Sequence, residues 1–489
     1  MIDIQIHPRQ FEYDVQSMVQ AFYTGLPFQI NSDIERAYRV LEVEFAGESI
    51  GVSLYDGNKK LFNEQISCEF LKNKDITEIS GSVRRDAKNA LKKLLYCILE
   101  KDTGRHLPWG NLTGIRPAKI PGMLMEEGMS EQDARKEMKE TYFISNEKLD
   151  LAMDVSKMEK KVLSNVNYKE GYSLYVGIPF CPTTCLYCSF TSYPLKIYKD
   201  KVDDYIDAVI KEIIFLGGKL EGRELNSVYI GGGTPTTLEP KQLERLITAL
   251  KENFDFQTVK EFTVEAGRPD SITKEKLLVL KEQGVSRISI NPQTMNQETL
   301  DLIGRKHTIE QVKDAFKMAR ECGMNNINMD FIVGLPEETP EMVRYSMEEA
   351  MKLEPDGITI HSLAIKRASR LSMNKKKYAE LSMENSTELM NITKEYAYKM
   401  GMKPYYLYRQ KNMAGNQENV GYSKEGLEGL YNILMMGDYQ DVWAVGAGAV
   451  TKLLSGDRKN ATRIDTLKNV DQYIERIDEM IDRKSCFLL

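Results

Sequence analysis

Six short runs rich in β-branched and aromatic residues lie between Ser173 and Ala364: SLYVGI, SVYIGG, EFTVEA, SRISIN, INMDFIVG and GITIHSLA. Longer amphipathic stretches separate them, among them KVDDYIDAVIKEIIFLGG, KQLERLITALKENF, ITKEKLLVLKEQG and IEQVKDAFKMARECG. Strand and helix patterns alternating in this way predict parallel β/α units. Six such units fit an open, partial (β/α)6 barrel better than a closed barrel of eight. Chemistry in barrels of this kind sits at the C-terminal ends of the strands.

The flanking sequence reads differently. MIDIQIH alternates as a strand should, and RVLEVEFAGESIGVSLYDGNKKLFNEQIS reads as strands joined by Gly-containing turns. DAKNALKKLLYCILEK follows as a helix, LPWGNLTGIRPAKIPG as a Gly/Pro-punctuated loop, and the stretch from Ser130 to about Val166 as helix again. The fold class is therefore α/β. An α+β accessory domain is expected over residues 1–165, the partial barrel over 166–375, and a mostly helical C-terminal domain over 376–489. The last contains KPYYLYRQKNMAGNQENVGYS and GDYQDVWAVGAGAV, and is expected to close over the barrel mouth.

Composition narrows the function classes. Among 489 residues, 42% hydrophobic and 28% charged is a globular balance, and a net charge of -6 argues against nucleic-acid binding by bulk electrostatics. No apolar run is long enough for a membrane span, and MIDIQIHPRQFEYD lacks the apolar core of a secretory signal, so a cytoplasmic location is expected. Seven cysteines, an odd number, do not read as a disulfide framework. Cys97 and Cys322 fall in helical patterns as small hydrophobes, and Cys486 carries no assigned role.

The remaining signal is concentrated in YVGIPFCPTTCLYCSF. It places Cys181, Cys185 and Cys188 in a C-x3-C-x2-C spacing directly after a strand. Such a loop can wrap a 4Fe–4S cluster and give one thiolate to each of three irons, leaving the fourth open to a substrate. Structural zinc would want a fourth nitrogen or sulfur ligand nearby. The position two residues on is Phe190, and the nearest upstream histidine is His106. One β/α unit later, Tyr229-Ile-Gly-Gly-Gly-Thr-Pro-Thr supplies three glycines, which let a backbone approach a ligand closely.

These motifs resemble the radical S-adenosylmethionine superfamily and, within it, the oxygen-independent coproporphyrinogen III oxidase group. The domain ahead of the cysteines is similar to that of the coproporphyrinogen dehydrogenase subgroup labelled HemZ. The resemblance implies a radical-SAM barrel, a 4Fe–4S cluster on Cys181, Cys185 and Cys188, and one or two molecules of S-adenosylmethionine. It implies adenosylmethionine contacts from Tyr175, Tyr187, Gly232, Gly233, Thr234 and Glu265, and a second set from Gln293, Arg305, Asp330 and Ala364. The implied reaction converts coproporphyrinogen III to protoporphyrinogen IX by a 5′-deoxyadenosyl radical, a step of haem biosynthesis. Implied partners are the tetrapyrrole substrate, a flavodoxin- or ferredoxin-type electron donor and an external electron acceptor.

Three features depart from the family. Gly177 stands where relatives have His, and Phe190 where well-known oxidases have a further Cys. The Cys-x-Phe ending occurs in related haem chaperones, yet YRQKNMAGNQENVGY lacks the His-Asn-x-x-Tyr-Trp motif common in those proteins. A haem chaperone that keeps the cluster, or another radical reaction on a tetrapyrrole, is thus the alternative. A substrate with four propionates calls for cations, and Lys366, Arg367, Arg370, Arg409 and Lys411 are the candidates.

Overall fold

The computed structural model describes the whole chain except residues 33–36, 115, 367, 375–377, 379, 384, 411–412, 457, 459 and 489. It divides into two compact units, residues 1–153 and 154–489.

The first unit is α+β, as the alternating N-terminal text predicts. Five strands, β1 (Ile2–Ile6), β2 (Phe28–Ile30), β3 (Arg39–Ala46), β4 (Ser49–Asp56) and β5 (Lys59–Ser67), form one sheet in the order β2-β1-β3-β4-β5. β1 runs parallel to both its neighbours, and β3, β4 and β5 form an antiparallel meander. Helix Gly81–Thr103 buries Ala87, Leu91, Leu94, Leu95 and Ile98 at helical spacing, and these join Ile2, Ile4, Leu41, Val52 and Leu54 in one apolar core. The short β2 was not foreseen, because three residues show no period.

The second unit is built on a large sheet. Its central strands are the six expected ones: β6 (Tyr172–Ile178), β9 (Leu225–Gly232), β10 (Glu261–Gly267), β11 (Arg287–Gln293), β12 (Ile327–Val333) and β13 (Gly357–Ser362). They lie side by side in chain order, all parallel. The expected helices Val202–Lys219, Pro240–Asn253, Lys274–Glu282, Ile309–Glu321 and Pro340–Leu353 connect them. Two two-residue strands, β7 (Phe180–Cys181) and β8 (Tyr193–Pro194), bracket the cysteine segment.

Among its described residues, the stretch 376–489, expected to be mostly helical, carries helices and also five strands. β14 (Lys403–Tyr408) and β15 (Asn419–Ser423) extend the sheet beyond β13. β16 (Asp441–Val445) pairs parallel to β6, and β17 (Val450–Leu454) and β18 (Ala461–Asp465) follow antiparallel. The Tyr-rich KPYYLY and the apolar DVWAV suit a pleated, buried surface, and each finds an edge of the six-stranded sheet to pair with.

Side-chain alternation along the six strands separates two faces. Leu174, Val176, Val228, Ile230, Val264, Ile288, Ile290, Met329, Ile358 and Ile360 are wholly buried apolar residues. The alternate positions are polar and meet across the strands: Ser173 with Ser227 at 2.7 Å, Asn328 with Ser289 at 2.9 Å, and Thr359 with Asn328 at 3.2 Å. Two residues further along each strand, on the same face, come Tyr175, Tyr229, Glu265, Asn291, Asp330 and His361. No described helix is long and apolar enough to cross a membrane.

The C-terminal helix Ile477–Ser485 is anchored by an ion pair in which both side chains are fully buried, Lys484 with Glu212 of helix Val202–Lys219. Glu212 also accepts from the Tyr473 hydroxyl at 2.5 Å and the Gly446 N–H at 3.0 Å. Removing one member of such a pair strands a charge in the interior. Lys484→Ala is expected to lower stability by about 3–5 kcal/mol, measured by denaturant unfolding. Glu212→Gln combined with Lys484→Met should lose less, since no uncompensated charge remains.

Candidate functional site

The cysteine segment has little regular structure of its own, and its conformation is set by its neighbours. Gly233 N–H donates to the Ile178 carbonyl and Thr234 N–H to the Phe180 carbonyl, both at 2.7 Å, so the glycine loop after β9 is stitched to the chain leading into Cys181. Only glycine fits there. A Cβ on Gly233 would lie 2.6 Å from the Phe180 oxygen and 3.0 Å from Cys181 Sγ, and Gly232 has φ of 114°, a left-handed value. Thr234 is buried, with Oγ1 3.5 Å from Cys181 Sγ.

Three further strand ends hold the segment. After β10, Arg268 donates to the Thr183 carbonyl at 3.3 Å and to its hydroxyl, while its fork grips Asp270 at 2.9 and 2.6 Å. After β11, the Ile303 carbonyl accepts Leu186 N–H at 2.9 Å. Arg305 reaches the Tyr187 hydroxyl at 3.2 Å, the Asn291 carbonyl at 2.5 Å and Cys185 Sγ at 3.7 Å. After β13, Leu371 N–H donates to the Leu186 carbonyl at 3.1 Å, and Arg370 reaches the Thr184 carbonyl at 3.4 Å.

The electrostatics suit an anionic, sulfur-bound group. Cys181 and Cys185 are buried, and burial pushes the Cys181 thiol up to about 11. Burial raises Cys188 too, opposed by the Phe190 N–H and the Ser192 side chain. Two buried guanidiniums, Arg268 and Arg305, face this loop. A bound metal would convert the thiols to thiolates, releasing protons, and the two cations would then offset the new charge. Among the described residues, no three His, Cys, Asp or Glu converge on one metal-ion position.

The row of polar residues at the strand ends continues this surface. Tyr175, Tyr229 and Tyr431 stack at centroid separations of 6.1, 6.3 and 4.5 Å. Tyr229 donates to Glu265 Oε1 at 2.5 Å. Burial pushes the Glu265 carboxyl up to about 7 and the nearby Asp330 adds to this, while the Tyr229 bond, the Gly232 N–H and Arg287 pull the other way. Gln293 ends β11 at a break in register with φ of 73°, an uncommon value for a non-glycine residue, and its buried Oε1 has no partner. Asp330 accepts from Asn328 at 2.7 Å and lies 3.9 Å from His361 Nε2. His361 Nδ1 is in turn 3.4 Å from the Tyr408 hydroxyl. Ala364 forms an isolated bridge with Met413.

The residues singled out in the sequence therefore share one end of one sheet, with exceptions among the proposed substrate cations. Arg409 is buried, bonded to the Asn416 carbonyl at 3.1 Å and to its side-chain oxygen, and burial lowers it to about 10. Arg370 is exposed beside the cysteine segment, whereas Arg367 and Lys411 lie outside the described residues. Sequence reasoning missed Arg268, Asn291, His361, Tyr408 and Tyr431. His361 was accessible from the period-two pattern, two residues after Thr359 as Asp330 follows Asn328. His307 is fully buried with both ring nitrogens unpartnered, and burial lowers it to about 3, so it is neutral.

Comparison with known proteins agrees with this geometry. Residues 175–350 match the Radical SAM superfamily. The chain is 37% identical over 450 residues to the oxygen-independent coproporphyrinogen-III oxidase-like protein HemZ of Bacillus subtilis, covering 91% of this chain and 87% of that one. It is 32% identical to the heme chaperone HemW of Lactococcus lactis, over 64% of this chain and 78% of the relative. Among solved structures, coproporphyrinogen III oxidase (HemN) from Escherichia coli, a radical SAM enzyme, shares the fold with a TM-score of 0.51 and 24% identity, over 67% of this chain and 73% of that one. Superfamily membership implies a 4Fe–4S cluster and S-adenosylmethionine. With a cysteine loop held from four strand ends and a relative matched over nine-tenths of its length, the chain belongs to the radical SAM superfamily, in its HemN/HemZ-like group.

Proposed function

We propose that this protein is a radical SAM oxidoreductase that decarboxylates coproporphyrinogen III to protoporphyrinogen IX without oxygen. Each of two propionates then becomes a vinyl group by losing a hydrogen atom, an electron and carbon dioxide. Cys181, Cys185 and Cys188 hold the cluster, which when bound supplies the electron that cleaves adenosylmethionine to a hydrogen-abstracting carbon radical. Tyr175, Tyr187, Gly232, Gly233, Thr234 and Glu265 line one adenosylmethionine, and Gln293, Arg305, Asp330 and Ala364 belong to a second set of contacts. A flavodoxin- or ferredoxin-type donor reduces the site, and an external acceptor takes the substrate's electron. The observation that carries the reading is the cysteine segment itself, with Arg268 and Arg305 buried against it.

The second reading is a haem chaperone, favoured by Phe190 in the Cys-x-Phe ending and by the HemW relative. The deciding experiment incubates reduced protein anaerobically with adenosylmethionine, coproporphyrinogen III and an artificial electron acceptor. Protoporphyrin, seen by chromatography after oxidation, is the expected product. Stoichiometric haem binding and transfer with no decarboxylated product would establish the chaperone instead.

Two further outcomes follow from the site. Single Ala substitutions at Cys181, Cys185 or Cys188 should abolish the reconstituted cluster's visible absorbance, whereas Cys97→Ala and Cys322→Ala should retain it. The raised Glu265 carboxyl predicts a pH dependence. Adenosylmethionine carries positive charge, so its binding favours the carboxylate. Below about 7 the free site is protonated, and affinity should fall by about tenfold per pH unit. Glu265→Gln should flatten that slope in a titration read by calorimetry. An unchanged slope would remove Glu265 from the binding surface.

A further inference from the structure

Phe190 is 70% exposed, two residues beyond Cys188, in a segment otherwise tied down on every side. Its backbone N–H faces the Cys188 sulfur and opposes the rise that burial causes there. Lys366 lies over the Phe190 ring, with Nζ 5.7 Å from its centroid. The backbone of Lys366 is tied as well. Its carbonyl accepts both the N–H of Ser369, at 3.0 Å, and the hydroxyl of that residue, at 2.7 Å. Ser369 is wholly buried, and two residues later Leu371 is bonded to Leu186 of the cysteine segment. Arg370, exposed, extends the same edge and touches the Thr184 carbonyl.

We infer that Phe190, Lys366 and Arg370 form a substrate-binding lip beside the cysteine segment that takes a tetrapyrrole bearing ionised carboxylates. This rests on the tetrapyrrole reading above and names residues for it. An exposed phenyl ring gains little from a solvated cation alone. It gains far more when an aromatic partner covers it, and each pyrrole ring of a porphyrinogen has such a face. The ammonium above the ring, and the guanidinium that reaches Thr184 of the same segment, are cations available to propionates, which a hydrocarbon or a neutral ring system would not engage. The occupant is therefore a small aromatic polyanion of the tetrapyrrole class. On this view Phe190 is not a lost ligand but a contact surface that replaces one. Lys366 and Phe190 are thus substrate-contact residues.

The test uses the full-length, cluster-reconstituted protein and two probes, coproporphyrin III and its neutral tetraamide, with binding followed by absorbance. Phe190→Ala should weaken both probes by about tenfold. Lys366→Met should weaken the tetracarboxylate by about tenfold while leaving the tetraamide unchanged, and Lys366→Arg should restore binding. Iron content and adenosylmethionine binding should match wild type in all three variants. Wild-type affinity in both Phe190→Ala and Lys366→Met, or loss of iron in Phe190→Ala, would overturn the inference, the latter by making the ring a shield for the metal site. Failure of the decarboxylation reading is separable. If wild type makes no protoporphyrin yet porphyrin binding depends on both residues, the lip stands without the reaction. If wild type turns over and the variants bind normally, the reaction stands without the lip.

Discussion

The structure of the second unit depends on burying a polar face inside a parallel sheet. Parallel strands are covered on both sides, so any polar side chain they carry must find a partner within the protein. Here the small polar residues of neighbouring strands pair with one another, Ser173 with Ser227, and Asn328 with both Ser289 and Thr359. Gln440, just ahead of β16, completes the set by donating to Ser173 at 2.5 Å. These bonds fix register. A slip of one residue would turn Ser173 toward the apolar layer and leave its partners unsatisfied. Register in turn fixes the row above, because the next inward residue on each strand is two positions along. Tyr175, Tyr229, Glu265, Asn291, Asp330 and His361 are presented together at the strand ends for this reason.

The cysteine segment inherits its shape from that row. It contains only the two-residue β7 as regular structure, and it is held through carbonyls: those of Ile178 and Phe180 by the glycine loop, of Thr183 by Arg268, and of Leu186 by Leu371. Backbone acceptors suit this purpose, since most of the hold then rests on the main chain and not on the sulfurs. The cations that do the holding also change the local charge balance. Arg305 is fully buried and takes its favourable interactions from Tyr187 and Cys185, which together outweigh the penalty of desolvation. A buried guanidinium facing a neutral thiol is poorly compensated, and facing a thiolate it is well compensated.

Much of this was legible in the sequence because the signals were local. The three cysteines, the glycine triplet and the six β/α units each occupy a few adjacent residues with a recognisable spacing, and all lie where the pattern placed them. Glu265, Gln293, Arg305 and Asp330 needed a family resemblance to pick out, and the structure brings them to one end of one sheet. What could not be read were relations between distant segments. Arg268 gave no sign that it would reach Thr183, 85 residues earlier. Nor does KPYYLYRQ state whether its residues face ligand or core, and Arg409 proved to be buried against Asn416. The five strands of the C-terminal stretch were obscured because each is only five or six residues long and takes its stability from an existing sheet edge. Among them, His361 is the omission that stricter use of the period-two rule would have avoided.

Those C-terminal strands bear on the chemistry through the root of the cysteine segment. Tyr205 donates to the Gly177 carbonyl at 2.6 Å and accepts from Ala447 N–H at 2.9 Å, joining the end of β6 to the loop after β16. That loop packs so closely that a Cβ on Gly446 would lie 2.5 Å from the Gly177 oxygen. Gly177 itself is under no such constraint: a Cβ there would meet only ordinary contacts at 3.5 Å and beyond. Its departure from the family's His is therefore not forced by the backbone, and the freedom lies in what a side chain there would contact. Gly446 is tied to Glu212, and Glu212 to Lys484 and Tyr473, so residues near the chain's C-terminus brace the peptide four positions before Cys181. The six β/α units supply the row of polar side chains, but the path of the chain from β6 into the cysteines is fixed from outside them.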